Sequence, residues 1–475
     1  MVLAGGRNGQ ESDWIRTAVA ILVATLLLTW PALYNGYPLL YDDSASYIDT
    51  IDPRLAMWAR PIFYTLFLRP FHMHVTLWPT VFVQALILAH FVHLAARAVG
   101  GRVSIPAYLA LMGVLSLTML PWLTSMIMPH AFTVVVVLGL CLLGLFAERL
   151  QRWERLYLIV LVAATTTFHN SHLPLAVCTV AAILVVRLLR AAPPLGLARG
   201  AAVAIPLALA IVAQTAANSF GQGTLSFAPA SSTFMLGRLV GDGTAVAYLR
   251  DVCPTEKYAL CPYLDELPPT TDEFLWSKTA PFRRLGGPQA LQAETRAIVA
   301  GTLRAYPLRQ LTITARHVAQ QLFDWRIDSI IPEPDTIERE DSPLRTYMEG
   351  MFPREYAAFL ASHVGSNTLP LRAINGLHAA VTVVSFAVGL LVVVAAVRRR
   401  EMQLVGLAAI LAVVWFCNAI VTAGISGVFG HYQGRLAWMF TFYAVVGTMT
   451  LYRGTVPLHG SDLAGVGPPP HALGG

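Results

Sequence analysis

Ten separate apolar runs, none holding an acidic residue, constrain this chain more tightly than any motif does. They cover about 16–34, 75–99, 103–122, 131–147, 156–168, 173–189, 200–217, 373–397, 402–423 and 436–451. About 20 apolar residues suffice for one helical crossing of a bilayer, and a charge at its centre costs roughly 2.5–3.5 kcal/mol on insertion scales. The 27 acidic residues respect that cost: 17 lie between Asn218 and Leu371, four between Asp42 and Asp52, and six in the tails and short loops. At 56% apolar and 13% charged, far below the roughly 25% charged of soluble proteins, the chain reads as an all-α polytopic membrane protein with about ten transmembrane helices. The fifth and sixth runs are short and joined by His169-Asn170-Ser171-His172, so they can tilt or be partly re-entrant.

Arg and Lys sort the loops into two sides. One side carries Arg7, Arg16, Arg97, Arg102, Arg149, Arg152, Arg155, Arg187, Arg190, Arg199, Arg398 to Arg400 and Arg453, whereas short loops on the other hold only Arg54, Arg60, Arg69, Arg372 and Arg435. The positive-inside rule then predicts that both termini are cytoplasmic. It also divides the chain into an N-terminal transmembrane module (1–217) with an acidic first outer loop (35–74), an outer soluble segment (218–371) between spans seven and eight, C-terminal transmembrane helices (372–455), and a disordered cytoplasmic tail (456–475). Trp30-Pro31-Ala32-Leu33-Tyr34 offers no small-residue cleavage site, so the first run reads as a retained helix. The net charge of +6 resides in cytoplasmic loops, where topology and anionic lipid account for it, and nucleic acid is not an expected partner. Only Lys257 and Lys278 are lysines. That skew suggests a GC-rich bacterial genome, and the expected location is a bacterial inner (cytoplasmic) membrane.

The outer segment patterns as helix, without alternating strands or regular turn signals. Helices are predicted over 289–306, from Pro307 onward through Leu308, Leu311, Ala315, Val318 and Leu322, and over 353–363, with Phe323 and Trp325 as interface anchors. The Gly-, Ser- and Ala-rich stretch 221–242 reads as a loop over the mouth of the protein. Cys253 and Cys261 flank a short polar loop on a side expected to be oxidising and are disulfide candidates; two thiols without further ligands do not make a zinc site, and no metal ligands are assigned. Cys141, Cys178 and Cys417 lie in apolar runs as small core residues.

The first outer loop carries Tyr41-Asp42-Asp43-Ser44-Ala45-Ser46-Tyr47, followed by Arg60-Pro61-Ile62-Phe63-Tyr64. Acids beside a membrane span have a task or a partner. With its acidic first outer loop, a short apolar stretch after it and a sizeable outer segment, the chain resembles the GT-C class of polytopic membrane glycosyltransferases. The resemblance covers the organisation of roughly the first 220 residues. It implies an inverting glycosyltransferase that takes a sugar from a polyprenyl-phosphate carrier and passes it to a glycan, lipid or protein acceptor at the outer face of the membrane. It also implies that Asp42 or Asp43 is the general base, with Asp42 ahead as the first acid of the pair.

The chemistry fits that expectation. A base must take the acceptor hydroxyl proton, and cationic donors must hold the departing phosphate; a carboxylate suits the first role and the planar fork of Arg the second. Arg60 and Arg435, within His431-Tyr432-Gln433-Gly434-Arg435, are the phosphate candidates, with Tyr64, His169, His172, His431 and Tyr432 as further substrate contacts. Each has a plainer reading. Asp42 and Asp43 suit a helix start, Arg60 and Arg435 suit headgroup anchoring, His169 and His172 suit a helix break whose backbone groups they satisfy, and the tyrosines suit an aromatic belt. No cofactor is required, and a divalent metal remains open. The rival classes are a lipid-linked-glycan transporter or flippase, another lipid-linked transferase of O-antigen-ligase or acyl-transferring type, and a non-catalytic assembly protein for envelope polysaccharide.

Overall fold

The computed structural model describes residues 5–48, 60–189, 196–332, 337, 339 and 342–453. Among these the protein is helical, and its sole β feature is an isolated parallel bridge between Leu39 and Met126. The N-terminal half contains α1 (Gly5–Asn35), α2 (Asp42–Ile48), α3 (Ile62–His72), α4 (Trp78–Gly100), α5 (Ile105–Leu115), α6 (Leu120–Thr124), α7 (Thr133–Leu145), α8 (Arg152–Thr167), α9 (His172–Leu188) and α10 (Leu197–Gln222). Among the described residues, five helical stretches are long and apolar enough to cross a membrane: Trp14–Asn35, Trp78–Gly100, Ala198–Gln222, Leu371–Arg398 and Met402–Ile425. The tail expected after 455 lies outside the described residues.

The third apolar run is not one helix. It breaks between α5 and α6, where the Ser116 and Thr118 hydroxyls donate to the carbonyls of Gly113 (2.7 Å) and Leu115 (2.6 Å). Hydroxyls that bond back to the preceding turn loosen the helical ladder. The chain then runs without helix through 125–128, wholly buried. Backbone groups there need protein partners. Leu39 N donates to Ser125 O (2.9 Å), Ile127 N donates to Leu39 O (3.1 Å), and the Gln84 amide donates to the carbonyls of Thr124 and Met126.

Segment 218–371 divides into two parts with different attachments. Its first part holds α11 (Ser231–Gly241), α12 (Thr244–Val252), α13 (Thr271–Trp276), α14 (Pro281–Arg284), α15 (Gly287–Ala290) and α16 (Gln292–Ala305). These enclose a small core of their own around Leu236, Leu239, Leu249, Phe274, Phe282 and Ile298, and Cys253 is disulfide-bonded to Cys261 with Cα atoms 5.6 Å apart. The expected loop over 221–242 is corrected here: its second half is α11, which buries Thr233, Leu236, Leu239 and Val240. A Cβ at Gly237 would stand 2.9 Å from Leu275, so the glycine that suggested a loop permits close helix packing instead. Tertiary packing has overridden weak local propensity.

The second part follows α17 (Pro307–Phe323) and includes α18 (Pro343–Met351) and α19 (Pro353–Ala361). Ile327, Ile330, Leu344, Met348, Phe352 and Phe359 join the main core formed by the apolar helices. The chain closes with α20 (Leu371–Arg398), α21 (Met402–Ile425) and α22 (Gly430–Arg453). Gly430 and Gly434 lie one helical turn apart on α22, and a Cβ on either would collide, with the Arg326 backbone or with the Met119 sulfur. Small residues four apart let backbones approach, which seats Trp325 against Phe386 and Trp415 with ring centroids 6.4 and 6.1 Å away.

Candidate functional site

The candidate site is a cavity of about 330 Å³ where α2, the start of α3, the α8–α9 turn, the α10–α11 connection, α21 and α22 meet. One wall is polar, with Tyr47, Arg60, His169, Asn170, Ser171 and Tyr432; the other is apolar, with Leu173, Pro174, Phe227, Phe234, Val421 and Ile425. A mostly apolar pocket with a few convergent polar groups is the ordinary form of a small-molecule site.

At the first-loop corner, Asp42 and Asp43 occupy the first turn of α2. Ser44 serves the turn itself, its Oγ accepting from Tyr41 N at 2.9 Å. The acids also benefit from the positive end of the helix dipole. Asp43 is ion-paired with Arg60. The Arg60 guanidinium lies 5.9 Å from the ring centroids of both Tyr47 and Trp276. Burial opposes the charge on Arg60 more than any single neighbour favours it, but the charge and hydrogen bond of Asp43, with Tyr47 and Tyr432, together outweigh burial and the guanidinium is held protonated. Burial, then the charges of Asp43 and Asp42, push the Tyr41 phenol well above its ordinary range and keep it a hydrogen-bond donor.

At the opposite corner Arg435 is completely buried. Its Nη2 donates to Ser171 Oγ (3.0 Å) and Asn418 Oδ1 (2.7 Å), its Nη1 lies 3.3 Å from His130 Nδ1, and it sits 5.3 Å over the Tyr432 ring. Its Nε has no hydrogen-bond partner among the described residues. Every one of these contacts is neutral. Around it four imidazoles come close: His130 has centroid distances of 5.1 Å to His169 and 4.9 Å to His431, and His169 lies 5.5 Å from His172. His169 is kept neutral by burial, then by the charges of His172, Arg435 and Arg60. Among the described residues no three His, Cys, Asp or Glu side chains converge as metal ligands would.

Of the residues singled out from sequence, Arg60, His169 and Tyr432 line the cavity. Asp43 reaches it through Arg60, and Arg435 stands one layer behind Ser171. Three others sit in the supporting framework. His172 spends both ring nitrogens on Thr133 Oγ1 (2.9 Å) and Thr165 O (2.6 Å), tying the break between α8 and α9. Tyr64 donates to Gln84 Oε1 (2.5 Å) inside an aromatic cluster with Tyr47, Phe67 and Phe168. His431 bonds Ser329 Oγ at 2.9 Å and stacks beside Tyr432.

Sequence reasoning missed His130, Asn418, Asp272 and Trp276. His130 follows Pro129 in a segment that the loop count already placed on the same side as His169, and Asn418 is an amide inside an apolar run. Both signals were present. Asp272 and Trp276, on α13, had none, because only the packing of the α11–α16 unit brings them over Arg60; loss of hydration, then the charge of Asp43, raises the Asp272 carboxyl above the usual carboxylate range.

No family model, curated protein or solved structure matches this chain.

Proposed function

We propose that the protein is a membrane glycosyltransferase that moves a sugar from a polyprenyl-phosphate carrier to an acceptor at the outer face of a bacterial cytoplasmic membrane. The observation that carries this reading is the pair of arginines around one part-apolar cavity, one of them wholly buried among neutral partners. An anionic phosphate offers Arg435 the counter-charge that its surroundings lack, and the apolar wall suits the first isoprenoid units. Arg60, on the cavity wall, contacts the phosphate, and Arg435, one layer behind through Ser171, adds the uncompensated positive charge that stabilises the phosphate as the glycosidic bond breaks. A first-loop carboxylate, Asp42 or Asp43, takes the acceptor hydroxyl proton as the new bond forms, and the neutral His169 orients a substrate oxygen. The ten crossings and cytoplasmic termini expected from sequence would set the cavity on the outer side. The Cys253–Cys261 disulfide supports that placement, since such bonds persist in oxidising compartments.

The test is direct. The full chain, reconstituted in vesicles, is offered a panel of polyprenyl-monophosphate sugars labelled in the sugar, and lipid-linked and envelope glycans of a deletion strain are compared with wild type by mass spectrometry. Consumption of one donor, with the same sugar missing from the deletion strain, is expected. Intact glycans together with transport of a lipid-linked glycan by the vesicles would replace this reading with the flippase.

A further inference from the structure

Helix α17 has its polarity turned inside out. Leu308, Leu311, Ala315 and Phe323 share one face and are exposed, Leu308 by 76%, Leu311 by 65% and Phe323 by 78%. The opposite face carries Gln310, Thr314, His317 and Gln321. Gln310 and Gln321 are buried. A water-facing helix places its apolar stripe inward; here the stripe points away from the protein.

The inward face is fully engaged. Gln310 Nε2 donates to Asp242 Oδ2 (2.7 Å), Thr244 Oγ1 donates to Gln310 Oε1 (2.7 Å), and His317 contacts Arg238. Thr314 packs at the bare edge of Gly424 on α21. Gln321 accepts from Phe429 N (3.0 Å) and donates to Phe429 O (2.8 Å). The helix is therefore held in place by its polar side, and its apolar side is not a face waiting to fold inward.

We infer that α17 lies in the bilayer leaflet next to the site, with Leu308, Leu311, Ala315 and Phe323 against lipid acyl chains. Three observations name the occupant. The helix on which α17 packs, α21, is long and apolar enough to span a membrane and exposes Phe416 and Ile420 itself. Directly after α17 the chain enters the bundle, with Trp325 wedged between Phe386 and Trp415. Arg309 and Arg316 fall on one flank of the stripe, where long cationic side chains reach headgroup phosphates while their stems stay in the apolar layer. The consequence is mechanical: one lipid-embedded helix grips the α11–α16 unit at Asp242 and the chain before His431 at Phe429, so the roof and the floor of the cavity share a membrane anchor. This inference needs the membrane placement alone and not the transfer reaction.

The unmodified chain is reconstituted in phosphatidylcholine–phosphatidylglycerol vesicles containing a phospholipid with a diazirine on its acyl chain, irradiated, digested with trypsin and mapped by mass spectrometry. Cleavage after Arg309, Arg316 and Arg326 isolates the helix as peptides 310–316 and 317–326. Adducts on Leu311 and Phe323, in yields comparable with those on Phe416 and Ile420, are expected, with loss of the adducts at 310–326 but not at Phe416 in the Leu311→Glu/Phe323→Glu variant. Adducts at Phe416 and Ile420 with none on 310–326 would overturn the inference and leave that face to water or to a protein partner. Sugar transfer by the vesicles is scored separately and bears only on the reaction.

Discussion

Arg60 lines the cavity and Arg435 stands one layer behind it at Ser171, and the protein holds them in opposite ways. Arg60 has a carboxylate, Asp43, and two aromatic rings. Arg435 has an amide oxygen, a hydroxyl and an imidazole, and no acid among the described residues. An ion pair that is already neutral holds a carboxylate in place, whereas a buried guanidinium without an anion carries a desolvation penalty of several kcal/mol. An anion bound nearby would offset that penalty. On the proposed reading, the first corner aims an acid and the second supplies the charge that draws a phosphate.

The sharpest way to break this comparison is to remove the acids. Asp43→Asn and Asp42→Asn are each expected to insert and fold, and the variant that loses the base should fall about 10²- to 10⁴-fold in turnover, measured as labelled-sugar transfer in vesicles. Wild-type rates from both would take the base away from the first loop.

The arginines should then respond with opposite signs. Arg435→Met is expected to lose about 10²- to 10³-fold in turnover while keeping or raising the melting temperature in detergent, because it removes a buried charge that has no counter-ion. Arg60→Met leaves Asp43 unpaired and should lower stability by about 1–3 kcal/mol. Equal destabilisation by the two variants would show that Arg435 is held as a structural cation and not kept for an anion.

The difference between the corners was only half legible in the sequence. The apolar runs located the helices because burial in lipid demands long uncharged stretches, and charge counting put Asp43, Arg60, His169 and Arg435 on one side. Periodicity found α17 but assigned its apolar stripe no direction, since a 3.6-residue repeat reports two faces and not which of them meets protein. The break near Ser116 and the helix over 231–241 escaped because hydroxyl back-bonding and the fit of Gly237 on Leu275 arise from packing. Nothing in the order of residues put Trp276 over Arg60. The neutral setting of Arg435 is a property of three distant segments, at His130, Ser171 and Asn418, and appears only when they converge.

A smaller effect is expected from the unit that roofs the first corner alone. The Cys253–Cys261 bridge closes a short loop in that unit, and Cys253→Ser should cost about 2–3 kcal/mol of its stability by the chain-entropy model. Hydrogen exchange should show faster opening of 231–305, with little change around Asn418 and Arg435. Uniform loosening of both corners would mean that they are one cooperative unit.

The smallest effect separates the corners by charge. Asp272 overlies the Arg60 corner, and its carboxyl is pushed up by lost hydration and then by Asp43. A carboxyl raised on folding adds stability below its unfolded value of about 3.9, and that contribution is lost as pH rises through the raised folded value. At neutral pH the ionised Asp272 therefore weighs against the fold. Asp272→Asn should raise the melting temperature at neutral pH, and the gain should vanish in acid, where the wild-type side chain is uncharged as well. The same substitution in an Asp43→Asn background should gain less, because one source of the upward push is gone; in an Arg435→Met background the gain should be unchanged. A gain that survives in acid, or one that follows Arg435 instead of Asp43, would erase the electrostatic boundary between the corners.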